Sequence, residues 1–292
     1  MHMPTNRLHT YGVTGDGRVE GPKIISLISG KGGVGKSVLA FNIGAVLAHQ
    51  GGRTLILDCD YHFGNIHILG NVVPEMTLAD VIENSALFSE SLMPIYNNLD
   101  LIASPSGTGR YHDFNSLRFR RFLEQLKGLA AGYDYIILDT ISGHLELIRQ
   151  AAEYSNINLV VLNPELTSIA DAYGLFKFLV KSKNDFSAHI FLNNIESESD
   201  YEYVYQKFTV LAGKFLGRVP LNAGYLFNDR HVIESVSKQR PLVELFPDSP
   251  AVSQLSSLCK ILTAKSEFRG NDNTVRGEDN INSLKALADI KE

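Results

Sequence analysis

Eight residues near the amino terminus carry the residue types that bind phosphate. Residues 30–37 read GKGGVGKS, which fits the pattern G-x-x-x-x-G-K-S in full. Glycines in this pattern let the backbone curl so that successive N–H groups point inward at phosphate oxygens. Lys36 is placed to reach the β- and γ-phosphates, and the Ser37 hydroxyl is placed to bind Mg²⁺. The motif predicts a nucleotide triphosphate site that is formed by Gly30, Lys31, Gly32, Gly33, Val34, Gly35, Lys36 and Ser37.

Two apolar runs that end in acid provide carboxylates for the same site. RTLILDCD ends in Asp58 and Asp60, which lie two residues apart and therefore on one face of a strand. YDYIILDT carries Asp139 at a strand end, where a carboxylate reaches Mg²⁺ through water. We expect Ser37, Asp58 and Asp139 to form the metal site, with Asp58 supporting either the Mg²⁺ shell or the loop.

Alternating strand and helix patterns place these groups at one edge of a sheet. KIISLIS is typical of a buried parallel strand, and residues 36–51 have helical apolar spacing that is closed by glycine. Strands alternating with helices predict an α/β fold with a doubly wound, mostly parallel sheet and helices on both faces. Further strands are expected at RTLILDCD, LDLIAS, YDYIILDT, INLVVLN, AHIFLNN and near GRVPL, and further helices at TLADVIEN, SLRFRRFLEQLKGLAAG, 167–183, 201–216, 229–239 and 249–265.

Composition limits the class of protein and its domain organisation. The chain has 292 residues, of which 44% are hydrophobic, and a formal net charge of −5, which argues against a dedicated nucleic-acid partner. We expect a flexible segment at 1–22, a P-loop domain at 23–265 and a polar, disordered tail at 266–292. Two isolated cysteines, the lack of a signal peptide and the lack of a long apolar run favour a cytoplasmic location.

The string KGGVGKS resembles the deviant Walker A motif, KGGxGK[ST], of the MinD/ParA family of P-loop ATPases, and NIGAVLA and LILDCD continue the likeness. The resemblance implies Mg²⁺-dependent hydrolysis of ATP to ADP by a homodimer that forms on ATP binding. It implies that Lys31 touches the phosphates of the other copy, and that Lys36 is a second catalytic lysine, which contacts the β- and γ-phosphates. It also implies that Asp60 positions or activates the attacking water. It also implies that an asparagine after AHIFL reads adenine, for which we choose Asn193, and that Pro220 flanks the ring.

The segment after Asp139 departs from the family pattern. Family members usually continue D-x-P/A-x-G, whereas this chain reads DTISGH, with Ile141 in place of the small residue or proline. Gly143 is present, so a switch II loop is expected here. The sequence therefore leaves open whether hydrolysis is coupled to a partner in the same way as in the better-known relatives.

The final part of the resemblance concerns the biological role. IESVSKQRPLVELFPDSPA at 233–251 looks like the closing segment of the flagellar-number regulators FlhG and FleN, a MinD-like branch. We therefore expect an ATP-dependent dimerisation switch that acts through a protein partner and controls the positioning or number of a cellular structure. Flagella are the first candidate for that structure. The alternatives are a ParA-like DNA-partitioning ATPase and a P-loop synthetase or amidoligase with a second small-molecule substrate.

Membrane contact depends on the carboxyl-terminal residues. Residues 281–292 have the spacing of a short amphipathic helix, with Lys285 and Lys291 opposed by Asp289 and Glu292. A membrane-surface helix normally has a basic polar face and larger apolar residues. Peripheral contact with the inner face of the cell membrane therefore stays open.

Overall fold

The computed structural model describes residues 21–61, 64–84, 86–105 and 116–264. The chain divides into two units, one ending at Leu262 and the other beginning at Thr263, and only Thr263 and Ala264 of the second are described. Most of the predicted lead-in at 1–22 and the whole predicted tail at 266–292 lie outside the described residues. The domain boundaries therefore stay predictions.

The described strands form one sheet of eight strands in the order β3-β4-β2-β5-β1-β6-β7-β8. β3 runs antiparallel to β4, and every other neighbouring pair is parallel. The predicted doubly wound, mostly parallel α/β fold is confirmed. The strands are β1 (Lys23–Ile28), β2 (Thr54–Cys59), β3 (Met93–Tyr96), β4 (Leu99–Ile102), β5 (Tyr135–Thr140), β6 (Ile157–Leu162), β7 (His189–Ile195) and β8 (Leu221–Phe227).

Helices cover both faces of this sheet. Alternate β1 residues point to opposite faces: Ile25 and Leu27 pack in a cluster with α1 and α10, whereas Ile24 and Ile28 pack toward α3 to α7. The helices are α1 (Lys36–His49), α2 (Ile66–Leu69), α3 (Leu78–Ile82), α4 (Ser116–Leu129), α5 (Leu145–Tyr154), α6 (Leu166–Ser182), α7 (Glu198–Leu216), α8 (Arg230–Lys238), α9 (Leu242–Leu245) and α10 (Pro250–Thr263).

Four of these strands and α-helices are not predicted by the sequence patterns. β3, α2 and α9 have four residues each, which is too short for a strand or helix period to be visible. The sequence does contain a signal for α5, because the apolar residues Leu147, Ile148 and Ala151 have helical spacing and are buried. Among the described residues, no helix combines the length and hydropathy that a membrane span requires.

The carboxyl ends of the parallel strands meet at one edge, which is where ligands bind in this type of sheet. β1 lies between β5 and β6, and the register of β2 with β5 pairs Asp58 with Asp139. The glycine loop, Asp58, Asp139 and Asn193 therefore lie at this edge of the sheet.

Candidate nucleotide site

Two glycines of the phosphate loop are required by close packing and backbone geometry. A Cβ on Gly30 would lie 2.2 Å from the Asp171 carbonyl oxygen on α6, so the loop rests directly on that helix. Gly35 precedes α1 with φ +90°, and a Cβ there would lie 2.3 Å from Asn193 Nδ2. A side chain at either position therefore forces the loop away from its supports. A Cβ on Gly32, by contrast, would have no described atom within 4 Å.

Gly30→Ala is expected to lower the free energy of unfolding by about 2 kcal/mol, because the added methyl collides with rigid helix backbone. The matched control is Gly32→Ala, which adds the same methyl to open space. Urea unfolding of both variants measures the difference. Equal stabilities for the two variants would show that the loop does not rest on α6 as described.

The Lys36 ammonium is buried and held by two hydroxyls. It donates to Ser29 Oγ at 2.7 Å and to Ser142 Oγ, and the two hydroxyl oxygens lie 3.2 Å apart. Burial lowers the pKa of Lys36, while the charges of Asp139 and Asp60 raise it. A buried cation that points at the loop is suited to an anionic ligand. Ser29 and Ser142 were not singled out from the sequence, although Ser29 directly precedes the glycine motif.

Asp139 and Ser37 provide the polar pair that a bound cation requires. Ser37 lies beside the Asp139 carboxylate and lowers its pKa, and the Asp139 Oδ1 atom is buried with no hydrogen-bond partner among the described residues. Burial raises the pKa of Asp139 to about 6, against the opposing effects of Lys36 and Ser37. This unpartnered oxygen fits a site for hydrated Mg²⁺, which binds through one or two protein oxygens, phosphates and water.

Asp58 holds the loop that follows β2. Its Oδ1 accepts from the Asp60 N–H at 3.1 Å, and its Oδ2 accepts from the N–H groups of Asn65 at 2.9 Å and Ile66 at 3.2 Å. Burial and the charge of Asp139 raise the pKa of Asp58. Both carboxylate oxygens already have backbone donors. The geometry therefore favours the loop role that the sequence left open over a place in the metal shell.

Asp60 lies half-buried at the end of β2, close to the phosphate loop. Its charge raises the pKa of both Lys36 and Asp139, so its carboxylate lies near these two groups. The backbone contact with Asp58 fixes where this loop leaves the strand. The structure thus places Asp60 near Lys36 and Asp139, and its part in catalysis stays a prediction.

Lys31 points along the protein surface to the start of α6. Its Nζ donates to Glu165 Oε2 at 2.7 Å and to Thr167 Oγ1 at 3.1 Å. The Lys31 and Glu165 side chains are 38% and 59% exposed, and an exposed pair of this kind stabilises a protein by only about 0–1 kcal/mol. Lys31 is therefore accessible and weakly held. Glu165 and Thr167 were missed, and their signal was the strand-end string NPELTS.

Asn193 joins the phosphate loop to a neighbouring pocket of about 250 Å³. Its Nδ2 donates to the Val34 carbonyl at 2.8 Å, and its Oδ1 is buried with no partner among the described residues. Asn194, with φ +57°, lies beside it at the rim. The rest of the wall combines apolar and polar side chains from α1, β8, α8 and α10, including Val38, Asn42, Leu226, Phe227, Asn228, Asp229, Val232 and Leu255.

The structure corrects the prediction for Pro220. β8 begins at Leu221, after Pro220, whereas the sequence pattern predicts a short strand around GRVPL. Pro220 therefore lies at the amino end of the strand, on the edge opposite the phosphate loop, where its carbonyl accepts from the Tyr205 hydroxyl. The β8 residues at the pocket are instead those at its carboxyl end, Leu226 and Phe227.

A glycine loop between β1 and α1, with a buried lysine and strand-end carboxylates around it, defines a P-loop nucleotide-binding protein. Residues 22–191 match the sequence model of the AAA domain family. The chain belongs to this family and, within it, to the MinD/ParA P-loop ATPases, which confirms the resemblance carried by KGGVGKS.

Individual relatives agree with this assignment. The chain is 28% identical over 229 residues to the antiactivator FleN of Pseudomonas aeruginosa, covering 78% of this chain and 82% of FleN. It is 23% identical over 247 residues to the flagellum site-determining protein YlxH of Helicobacter pylori, covering 84% and 83%. The septum site-determining protein MinD of Pyrococcus horikoshii, solved with Mg-ADP, superposes with a TM-score of 0.71 at 22% identity, covering 86% of this chain and 100% of that one.

Proposed function

We propose that the chain is an ATPase whose ATP-bound form closes into a homodimer and acts as a switch for a protein partner. The observation that carries the proposal is the place of Lys31, exposed beside the phosphate loop and paired with surface groups of its own chain. A cation in that position is able to reach a nucleotide that is bound by a second copy. Lys36, by contrast, is buried and serves its own site.

Each polar group has a separate part in the proposed reaction. The loop N–H groups and Lys36 bind the β- and γ-phosphates, and Asp60 orients a water toward the γ-phosphorus. Lys31 of a second copy neutralises charge as the bond to the bridging oxygen breaks and ADP leaves. When bound, Mg²⁺ would supply positive charge that stabilises the phosphates during hydrolysis. Ser37 and Asp139 are the residues that would hold it.

Asn193 is the proposed adenine contact. Its Nδ2 is already committed to Val34, which leaves the buried Oδ1 as an acceptor for an exocyclic amino group such as that of adenine. The apolar part of the pocket wall, with Val38 and Leu226, suits a flat aromatic base.

The proposed output is control of the number or placement of flagella. The name of one relative, a flagellum site-determining protein, supports this output, and the name of another, an antiactivator, supports action through a protein partner. Division-site placement is the second candidate, because a solved neighbour is a septum site-determining MinD. The protein partner, a cytoplasmic location and peripheral contact with the inner face of the membrane belong to the same proposal.

The proposed control of flagellar number is tested by counting flagella per cell, by electron microscopy, in a strain that lacks this chain. Deletion is expected to change the count, the wild-type chain to restore it, and Lys36→Ala to leave it uncorrected. Normal flagella with misplaced division septa would overturn the flagellar output in favour of the second candidate.

A further inference from the structure

The expected switch II loop contacts the phosphate loop and the preceding Ser29 through two hydrogen bonds of the Ser142 hydroxyl. Lys36 donates to both Ser29 and Ser142, and the Ser29 hydroxyl donates to the Lys31 carbonyl at 2.8 Å. Because the single Ser29 proton is used in that bond, Ser142 is the donor in the 3.2 Å contact between the two hydroxyls. Ser142 therefore accepts from Lys36 and donates to Ser29, and it lies in the DTISGH segment that departs from the family pattern.

The Lys36 ammonium has three N–H donors, and the two serines accept two of them. One donor is left for a phosphate oxygen, which is sufficient for a β-phosphate. Binding a γ-phosphate oxygen as well would take a second donor from the same lysine. Ser29 is fixed within the phosphate loop by its bond to the Lys31 carbonyl, whereas Ser142 belongs to a different segment, next to Gly143 with φ +80°.

We propose that Ser142 is a positioning residue that competes with the γ-phosphate for Lys36, so that ATP, and not ADP, releases switch II from the phosphate loop. This inference rests on the proposed function, since it needs Lys36 to bind the phosphates of ATP. In this proposal, Ser142 determines how strongly the site distinguishes ATP from ADP.

Ser142→Ala is expected to tighten binding of the ATP analogue AMP-PNP about fivefold and to change ADP binding less than twofold. A fivefold change is about 1 kcal/mol at 1.4 kcal/mol per factor of ten, the size of one net hydrogen bond. Ser142→Thr keeps the hydroxyl and is expected to restore the wild-type ratio of the two affinities. Ser155→Ala, which removes a hydroxyl bonded to the Ala151 carbonyl at the far end of α5, is the matched control.

Isothermal titration calorimetry with Mg²⁺ and either AMP-PNP or ADP measures these ratios. All four proteins carry Lys31→Ala, so that dimerisation does not add to the analogue affinity, and thermal unfolding checks that each is folded. An equal change for both nucleotides would assign Ser142 a packing role, and weaker AMP-PNP binding would make it a direct γ-phosphate ligand; either result overturns the inference. If the protein with Ser142 intact binds neither nucleotide, the proposed function itself fails.

Discussion

Lys31→Ala is expected to lower the rate of ATP hydrolysis per protomer by about a hundredfold to a thousandfold, the usual cost of one lost charge-stabilising donor. Affinity for ADP is expected to stay within about twofold, because Lys31 contacts Glu165 and Thr167 and not the phosphate loop of its own chain. Phosphate release at saturating ATP and ADP titration measure the two quantities.

Lys238→Ala is the matched control for this change. Lys238 is another exposed lysine, 2.7 Å from Glu234 in a pair along α8. Its removal is expected to leave hydrolysis unaltered. If Lys31→Ala lost ADP binding together with hydrolysis, Lys31 would serve its own nucleotide and the two-copy mechanism would be wrong.

Asp60→Ala is expected to lower hydrolysis about a thousandfold, within the usual range for a lost general base, while the ATP-bound dimer persists. The reason is that Asp60 lies near the phosphate site, whereas the neighbouring Asp58 holds the loop through three backbone N–H groups. Single-turnover hydrolysis and the lifetime of the dimer after ATP addition measure the effect.

Asp185→Ala removes a surface carboxylate that lies 3.8 Å from Lys183, far along the sequence from the nucleotide loop, and is the control. It is expected to behave as wild type. Wild-type hydrolysis by Asp60→Ala would exclude Asp60 as the residue that activates water. Loss of the dimer in this variant would instead make Asp60 part of the interface.

Local sequence patterns were sufficient for the frame of the site. The glycine spacing of residues 30–37 is sufficient to predict the backbone shape of the loop. Apolar strands that end in aspartate are sufficient to predict that Asp58, Asp60 and Asp139 lie at one edge of a parallel sheet. The parallel sheet followed from the alternation of strands and helices. These features depend on short-range order, which a single sequence displays.

The contacts that refine the site join residues far apart in the chain. Lys36 and Ser142 are 106 residues apart, and Lys31 and Glu165 are 134 apart. Neither pair has a local pattern, because each depends on how β5 and β6 lie against β1. The error at Pro220 has a related cause, since a shift in where β8 begins moves a residue to the opposite edge of the sheet.

The molar mass in solution, measured by light scattering with ADP and with AMP-PNP, tests the central claim most directly. We predict a monomer of 32.3 kDa with ADP and twice that mass with AMP-PNP and Mg²⁺ for the wild type. Lys31→Ala is predicted to stay monomeric with both nucleotides. A wild-type protein that binds AMP-PNP and still remains at 32.3 kDa at high concentration would contradict the account.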